Sequence, residues 1–149
     1  MNDDALRIIL ADDDYDDRLW FKDAIDEIKV KTILTLVNDG VELMDFLLKP
    51  EVHLPNLVFL DLNMPRKGGM ECLKEIRSNP KLKDLSIAIY STSGLERDIE
   101  ETFVKGANIY IKKPSDFEEL KNIVAKVINI NWHYHTSGLN KDNFLLNLY

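Results

Sequence analysis

Short apolar runs that alternate with longer amphipathic segments are the feature that most constrains the fold of this chain. Five such runs occur, at residues 6–11, 32–37, 57–60, 85–90 and 109–111. Each run is too short for a typical helix and therefore predicts a strand. The segments between them carry apolar residues at helical spacing, which predicts helices. The first three sets are Trp20, Ala24 and Ile28; Val41, Met44 or Asp45, and Leu48; and Met70, Leu73 and Ile76.

Two further helices are indicated by the residues at their ends. Residues 95–106 predict a fourth helix that ends at Gly106. Ser115, followed by Asp116 and Glu118, predicts the cap and the acidic first turn of a fifth helix. The sequence thus predicts five strand–helix repeats.

The predicted strands are apolar throughout, which is typical of strands covered by helices on both faces. Connections of a dozen or more residues that contain helices imply parallel pairing. We therefore predict an α/β fold with a doubly wound, open parallel sheet. Ligands bind such sheets outside the carboxyl ends of the strands, so the residues that follow each run are the candidates for a site.

Charge and composition exclude several classes of function. The chain has 19 Lys and Arg against 26 Asp and Glu, a net charge of -7, so neither nucleic acid nor an anionic membrane is an expected partner. No long apolar run and no cationic leader occur, which predicts a cytoplasmic protein. The single cysteine, Cys72, excludes an internal disulfide and a cysteine-rich zinc site, and its apolar neighbours predict core packing.

Polar residues follow four of the five predicted strands. Asp12 and Asp13 follow the first, Asp61 the third, Ser91 the fourth and Lys113 the fifth. Three carboxylates at one edge repel one another unless a cation neutralises them, and their oxygens suit a hard divalent cation such as Mg²⁺. Lys113 and the Ser91 hydroxyl could hold phosphoryl oxygens, with Asp61 as the nucleophile that forms an acyl phosphate.

Four motifs in register, "ILADDD", "LVFLDLNMP", "AIYSTSG" and "YIKKP", resemble the receiver domain of two-component response regulators. The resemblance covers residues 5–130 and implies the flavodoxin-like strand order 2-1-3-4-5. It implies that Asp61 is the phosphoacceptor, that Asp13 binds Mg²⁺ directly, and that Asp12 acts through metal-bound water. Asn63 would supply a backbone carbonyl to the metal.

The same resemblance implies a switch and its partners. Ser91, where the family more often has Thr, would move toward the phosphoryl group; Lys113 would pair with that group, and the rotamer of Tyr110 would follow. A cis peptide before Pro114 would aim Lys113 at the site. A sensor histidine kinase or histidine phosphotransfer protein would be the donor, and a downstream protein the target. The chain would then be a phosphoacceptor with slow self-dephosphorylation and not an enzyme.

The acidic residues that follow the first predicted strand have two other interpretations, as helix caps or as a calcium loop. Asp14, Asp16 and Asp17 suit helix caps or surface charge at a helix start. A calcium loop starting at Asp12 fails because Asp17 stands where that loop requires glycine.

Three rival functions remain as alternatives to the receiver. An aspartyl-phosphate phosphatase of the haloacid dehalogenase type would need an acid in place of Asn63. A flavodoxin-like flavin binder would set its phosphate against the carboxylates of residues 12–14, which would repel it. A receiver-like interaction module with an inactive site would lack some of the site residues, all of which this chain has.

Residues 1–130 are predicted to form the receiver domain, and residues 131–149 a C-terminal extension. The extension is too apolar for a free tail, with Trp132, Tyr134 and Phe144 among its residues. Either it packs onto its own domain, or it mediates association with a partner, including formation of a homodimer.

Overall fold

Strands and helices alternate along the chain in the structure, a computed structural model that describes residues 5–130 and 145–146. The strands are β1 (Leu6–Ala11), β2 (Thr32–Val37), β3 (Leu57–Leu60), β4 (Ser86–Ser91), β5 (Ile109–Lys112) and β6 (Leu145–Leu146). The helices are α1 (Tyr15–Glu27), α2 (Gly40–Leu47), α3 (Gly69–Ser78), α4 (Glu96–Val104) and α5 (Phe117–Ile128). Among the described residues, no helix combines the length and the apolar character needed to cross a lipid bilayer.

All six strands pair in parallel, in the order β2-β1-β3-β4-β5-β6. The first five strands confirm the predicted α/β fold and its order 2-1-3-4-5. The sixth strand was not predicted: Leu145 and Leu146 pair with Tyr110 and Ile111 and continue the sheet beyond β5. The rest of the predicted extension, residues 131–144 and 147–149, lies outside the described residues, so its role stays a prediction.

Alternate side chains of each central strand fill two separate layers of the core. Ile8 and Leu10 of β1 pack in the layer that α1 and α5 cover. Ile9 and Ala11 pack in the layer that α2, α3 and α4 cover. Because helices cover both faces of the sheet, all four residues of β3 are apolar and buried, and β1 has a single polar residue, Arg7.

Aspartates cap three of the helices. Asp14, Asp39 and Asp116 each accept a hydrogen bond of 2.9 Å from the backbone N–H three residues further along, at the starts of α1, α2 and α5. The cap of α5 is therefore Asp116 and not Ser115, because the side chain of Asp116 is the one that reaches a free N–H of the first turn. After α4, Gly106 adopts a φ of 97°, a conformation that glycine tolerates and that ends the helix as predicted.

Candidate metal centre

The carboxyl ends of β1 and β3 bring the first two candidate carboxylates together. The backbone N–H of Asp61 donates to the carbonyl of Ala11 at 3.0 Å, and that of Asp12 donates to the carbonyl of Val37 at 3.1 Å. These bonds continue the parallel ladder by one residue beyond each strand. Asp12 and Asp61 therefore lie side by side on neighbouring strands, as the strand-end argument predicted.

A close approach of α3 fixes the loop that follows Asp61. The N–H of Gly69 donates to the carbonyl of Leu62 at 3.0 Å. A Cβ atom at Gly69 would collide with the carbonyl oxygen of Asp61, so the first residue of α3 must be glycine for the helix to start this near the sheet.

Asp12, Asp13 and Asp61 form a cluster in which one oxygen of each carboxylate lies within 4.8 Å of the others. Asp12 and Asp61 are buried, with 0% and 6% of their surface exposed, and Asp13 is exposed. Oδ1 of Asp12 accepts from the N–H of Asp14 at 3.0 Å. Oδ2 of Asp12 is buried and accepts no hydrogen bond of regular geometry, although the ammonium nitrogen of Lys113 lies 2.8 Å away. Two buried carboxylates and a third at the surface, with one oxygen of each close together, suit a hard cation with oxygen ligands.

Lys113 is the cation that the chain itself supplies to this cluster. Its Nζ lies 2.8 Å from Oδ2 of Asp12, 2.9 Å from Oδ2 of Asp17 and 3.3 Å from Oδ2 of Asp61. Nζ also lies 5.3 Å from the centre of the Tyr90 ring, over its face. Burial lowers the pKa of Lys113, but the three carboxylates outweigh burial and raise it above its ordinary value. Lys113 is therefore charged at neutral pH.

Asp61 is unusually easy to protonate for an aspartate. Burial raises its pKa most, Lys113 opposes that effect, and the nearby charge of Asp12 adds to it, so that the pKa is about 6 instead of 3.8. Its Oδ1 accepts a hydrogen bond of 3.2 Å from the N–H of Asn63. An ionised Asp61 is thus a poorly solvated carboxylate beside a fixed ammonium group, which is a suitable setting for a nucleophile.

The two candidate switch residues are joined through the segment that follows β4. Ser91 is buried, and its Oγ accepts from the N–H of Ser93 at 3.1 Å. The hydroxyl of Tyr110, which is also fully buried, donates to the carbonyl of Ser93 at 2.7 Å. Ser93 Oγ donates in turn to Asp98 of α4 at 2.6 Å. A hydrogen-bonded path therefore leads from the end of β4 to the start of α4.

Asp17 is a site residue that the sequence analysis missed, since it was assigned to caps or surface charge. Asp14 does cap α1, but the Asp17 carboxylate turns to Lys113. The acidic first turn of α1 was visible in the sequence, but which of its carboxylates faces Lys113 depends on how the helix is rotated on the sheet. The prediction that Asn63 offers its backbone carbonyl to a metal stays a prediction.

The expected cis peptide before Pro114 is wrong, since the described residues contain no cis peptide bond. The bond between Lys113 and Pro114 is trans, and Lys113 reaches all three carboxylates with it. Cys72 lies in the core, as predicted: it is buried between α3 and α2, and burial raises the pKa of its thiol to about 12. It is therefore an inert core residue at neutral pH.

The fold and the pocket together define a class: a doubly wound parallel-sheet protein with an acidic pocket at the carboxyl edge of its sheet, able to hold a cation. The family model described as the response regulator receiver domain matches residues 8–125. The chain belongs to this family.

Individual relatives agree with this assignment. The chain is similar to the response regulator Rcp1 of Synechocystis sp., with 31% identity over 124 residues that cover 80% of this chain and 84% of that protein. It is also similar to a probable chemotaxis protein CheY of Rhizobium etli, with 28% identity, covering 83% of this chain and 93% of that protein.

Solved structures show the same fold. The phosphorylated cyanobacterial phytochrome response regulator RcpA matches with a TM-score of 0.77 and 33% identity, covering 83% of this chain and 91% of that one. The Mn²⁺-bound form of Rcp1 matches with a TM-score of 0.77 and 28% identity, covering 87% of this chain and 96% of that one.

Proposed function

We propose that the protein is a response regulator that accepts a phosphoryl group on Asp61 in the presence of Mg²⁺. The donor is a phosphohistidine on a sensor histidine kinase or a histidine phosphotransfer protein. The observation that carries the proposal is the Asp61 carboxylate itself, which is buried between an acidic pair and the ammonium group of Lys113, 3.3 Å away.

Asp12, Asp13 and Asp61 would hold the metal, with the backbone carbonyl of Asn63 as a further ligand. The convergence of these three carboxylates, two of them buried, supports this assignment, and Rcp1, a relative, has been crystallised in a Mn²⁺-bound form. When bound, Mg²⁺ neutralises the carboxylates and accepts phosphoryl oxygens, so that phosphate can approach an acidic pocket.

The transfer consists of one bond exchange at phosphorus. A carboxylate oxygen of Asp61 forms a bond to phosphorus, the bond between phosphorus and the donor's imidazole nitrogen breaks, and the imidazole takes up a proton. Lys113 pairs with a phosphoryl oxygen and stabilises the charge that spreads over the transferred group. Hydrolysis ends the phosphorylated state: a water attacks phosphorus, the bond to Asp61 breaks, and inorganic phosphate leaves. We expect this hydrolysis to be slow, with Asn63 and Ser93 modulating it.

Phosphorylation would shift an equilibrium between two existing conformations. The Ser91 hydroxyl would turn toward the phosphoryl oxygens, and the bond from Tyr110 to the Ser93 carbonyl would adjust. Because Ser93 also contacts Asp98, this change would reach α4 and alter the surface formed by α4, β5 and α5. A downstream protein would recognise that surface, and the protein would act in the cytoplasm.

Residues 131–149 would contribute to signalling in one of two ways. They would dock on their own domain, or they would mediate association with another molecule, for example in a homodimer. The pairing of β6 with β5 supports docking. Removal of residues 131–149 distinguishes the two. Loss of stability with unchanged self-association would support docking, and unchanged stability with reduced self-association would support an association segment.

A phosphorylation assay tests the central proposal. The protein is incubated with phosphoramidate, a small donor with a phosphorus–nitrogen bond, with and without Mg²⁺, and phosphate uptake is measured by intact-protein mass spectrometry. We expect uptake of one phosphoryl group that needs Mg²⁺, no uptake by Asp61→Asn, and normal uptake by the control Asp84→Asn, which neutralises an exposed carboxylate. Labelling of Asp61→Asn as complete as that of the parent protein would defeat the assignment.

A further inference from the structure

Among the residues that the structure describes, Asp17 is the one carboxylate in contact with Lys113 that does not belong to the metal cluster. It lies in the first turn of α1, and its Oδ2 accepts a hydrogen bond of 2.9 Å from Lys113 Nζ. The lysine comes from the end of β5, 96 positions further along the chain. This contact is shorter than the 3.3 Å between the same Nζ and Asp61. In this structure, Lys113 is thus bound more closely to α1 than to the predicted phosphoacceptor.

We propose that Asp17 is a positioning residue that competes with the phosphoryl group for Lys113 and thereby limits the stability of the phosphorylated state. The inference rests on the function proposed above. It assigns to Asp17 an effect on how long Asp61 keeps its phosphate, exerted through Lys113 and without contact with the reacting atoms.

The number of donors on lysine creates the competition. An ammonium group has three N–H donors, and three carboxylates surround Nζ of Lys113 within 3.3 Å. A phosphoryl group on Asp61 replaces the contact between Nζ and that carboxylate by contacts to its own oxygens. Because several phosphoryl oxygens then require donors from the same nitrogen, the contacts of Nζ with Asp12 and Asp17 compete with them.

Burial decides which of these two contacts is given up. The side chain of Asp12 is 0% exposed, so it cannot exchange Lys113 for water at low cost. The side chain of Asp17 is 34% exposed, so water can solvate its carboxylate once Lys113 moves away. We infer that Lys113 leaves Asp17 for the phosphoryl group and returns to Asp17 when phosphate is lost.

Charge acts in the same direction as hydrogen bonding. The Asp17 carboxylate and a phosphoryl group on Asp61 are both negative and share one cation, so each weakens the hold of the other on it. Replacement of Asp17 by asparagine removes both the competition and the repulsion. It should strengthen binding of an anion at the site and weaken binding of a cation, because one negative charge near the metal cluster is lost.

The variants Asp17→Asn and Asp16→Asn separate this role from a general change in charge. Asp16 stands next to Asp17 in the same helical turn, is exposed, and makes no contact with Lys113 among the described residues. Both variants change the net charge by one at nearly the same place. Neither alters the cap of α1, which Asp14 provides. A second replacement, Asp17→Ser, guards against an effect specific to asparagine.

Three quantities are measured on the full chain at constant ionic strength. They are the affinity for Mg²⁺ by calorimetry, the affinity for beryllofluoride in saturating Mg²⁺, and the half-life of phosphate on Asp61 after phosphoramidate is removed. We expect Asp17→Asn and Asp17→Ser to raise beryllofluoride affinity and half-life by roughly fivefold, the net size of one hydrogen bond at a partly exposed carboxylate. Mg²⁺ affinity should fall, and Asp16→Asn should change each quantity by less than about twofold.

The outcomes distinguish this inference from the function on which it rests. If the parent protein neither binds beryllofluoride nor takes up phosphate, the proposed function fails, and the inference fails with it. If the parent protein does both but Asp17→Asn behaves like Asp16→Asn, only the role of Asp17 is overturned. Weaker binding of both Mg²⁺ and beryllofluoride by the Asp17 variants would indicate a purely structural role and would also overturn it.

Discussion

Replacement of Asp61 by asparagine should stabilise the protein in the absence of divalent metal, by an amount that depends on pH. Burial and the neighbouring Asp12 raise the pKa of Asp61 to about 6 from 3.8, despite the opposing charge of Lys113. The folded protein therefore holds this proton more tightly than the unfolded chain does. Ionisation of Asp61 consequently costs stability, with no cost below about pH 4 and the full cost above about pH 6.

The size of the effect follows from the pKa. One pKa unit corresponds to about 1.4 kcal/mol, so a pKa of about 6 instead of 3.8 costs the ionised form about 3 kcal/mol. The attraction of Lys113 is already contained in that pKa, and the lysine keeps Asp12 and Asp17 in the variant. We therefore expect a gain of about 3 kcal/mol at pH 7.5 and almost none at pH 4, since asparagine resembles a protonated aspartate.

Urea unfolding in EDTA, at half-unit steps from pH 4 to pH 8, measures this difference in the free energy of unfolding between parent and variant. Other titrating groups are common to both proteins and cancel in the difference. Asp84→Asn, which neutralises an exposed carboxylate, should show no comparable rise with pH. A difference that stays flat across the range, or an Asp61→Asn protein less stable than the parent at pH 7.5, would refute the argument from burial.

Three further predictions concern other parts of the molecule. Cys72, buried and with a pKa of about 12, should resist iodoacetamide at pH 8 in the native protein and react in urea; rapid modification of the native protein would contradict its place in the core. Asp39→Ala should lower the free energy of unfolding by about 1–2 kcal/mol, because Asp39 caps α2 and pairs with Arg66 at 2.9 Å. Asp39→Asn keeps a capping oxygen and should lose less in the same urea titration, so equal losses would argue against the cap. Ser91→Ala should still take up phosphate but lose the change in hydrogen exchange at Tyr110 and α4; a full response there would rule out the proposed switch.

The strands were predictable because a sheet covered on both faces needs mostly apolar strands, with only a few polar residues such as Arg7 and Ser86. The buried faces of the helices were harder to predict. In α1 the spacing of Trp20, Ala24 and Ile28 suggested one face, but the buried residues are Phe21, Ala24 and Ile25. Apolar residues at adjacent positions support two overlapping faces, and only packing against the sheet selects between them.

The site was predictable where it depends on strand ends and not where it depends on the reach of side chains. Parallel pairing brings Asp12 next to Asp61 whatever the details of packing. The contact between Asp17 and Lys113 joins a helix to a strand end and depends on the rotation of α1 and the rotamer of a long side chain. Strand β6 has only two residues, too few for any periodic pattern to predict it.

The sixth strand also determines which backbone groups are exposed at one edge of the sheet. An exposed edge strand presents N–H and C=O groups that can pair with a strand from another molecule. Leu145 and Leu146 pair with Tyr110 and Ile111 at this edge. A protein shortened to residue 130 would leave the outer backbone of β5 bare beside a residue of the proposed switch. A gain of aggregation or of pairing with a second copy would then be a property of the truncation, so only a loss of self-association on truncation would reveal an association segment in the native molecule.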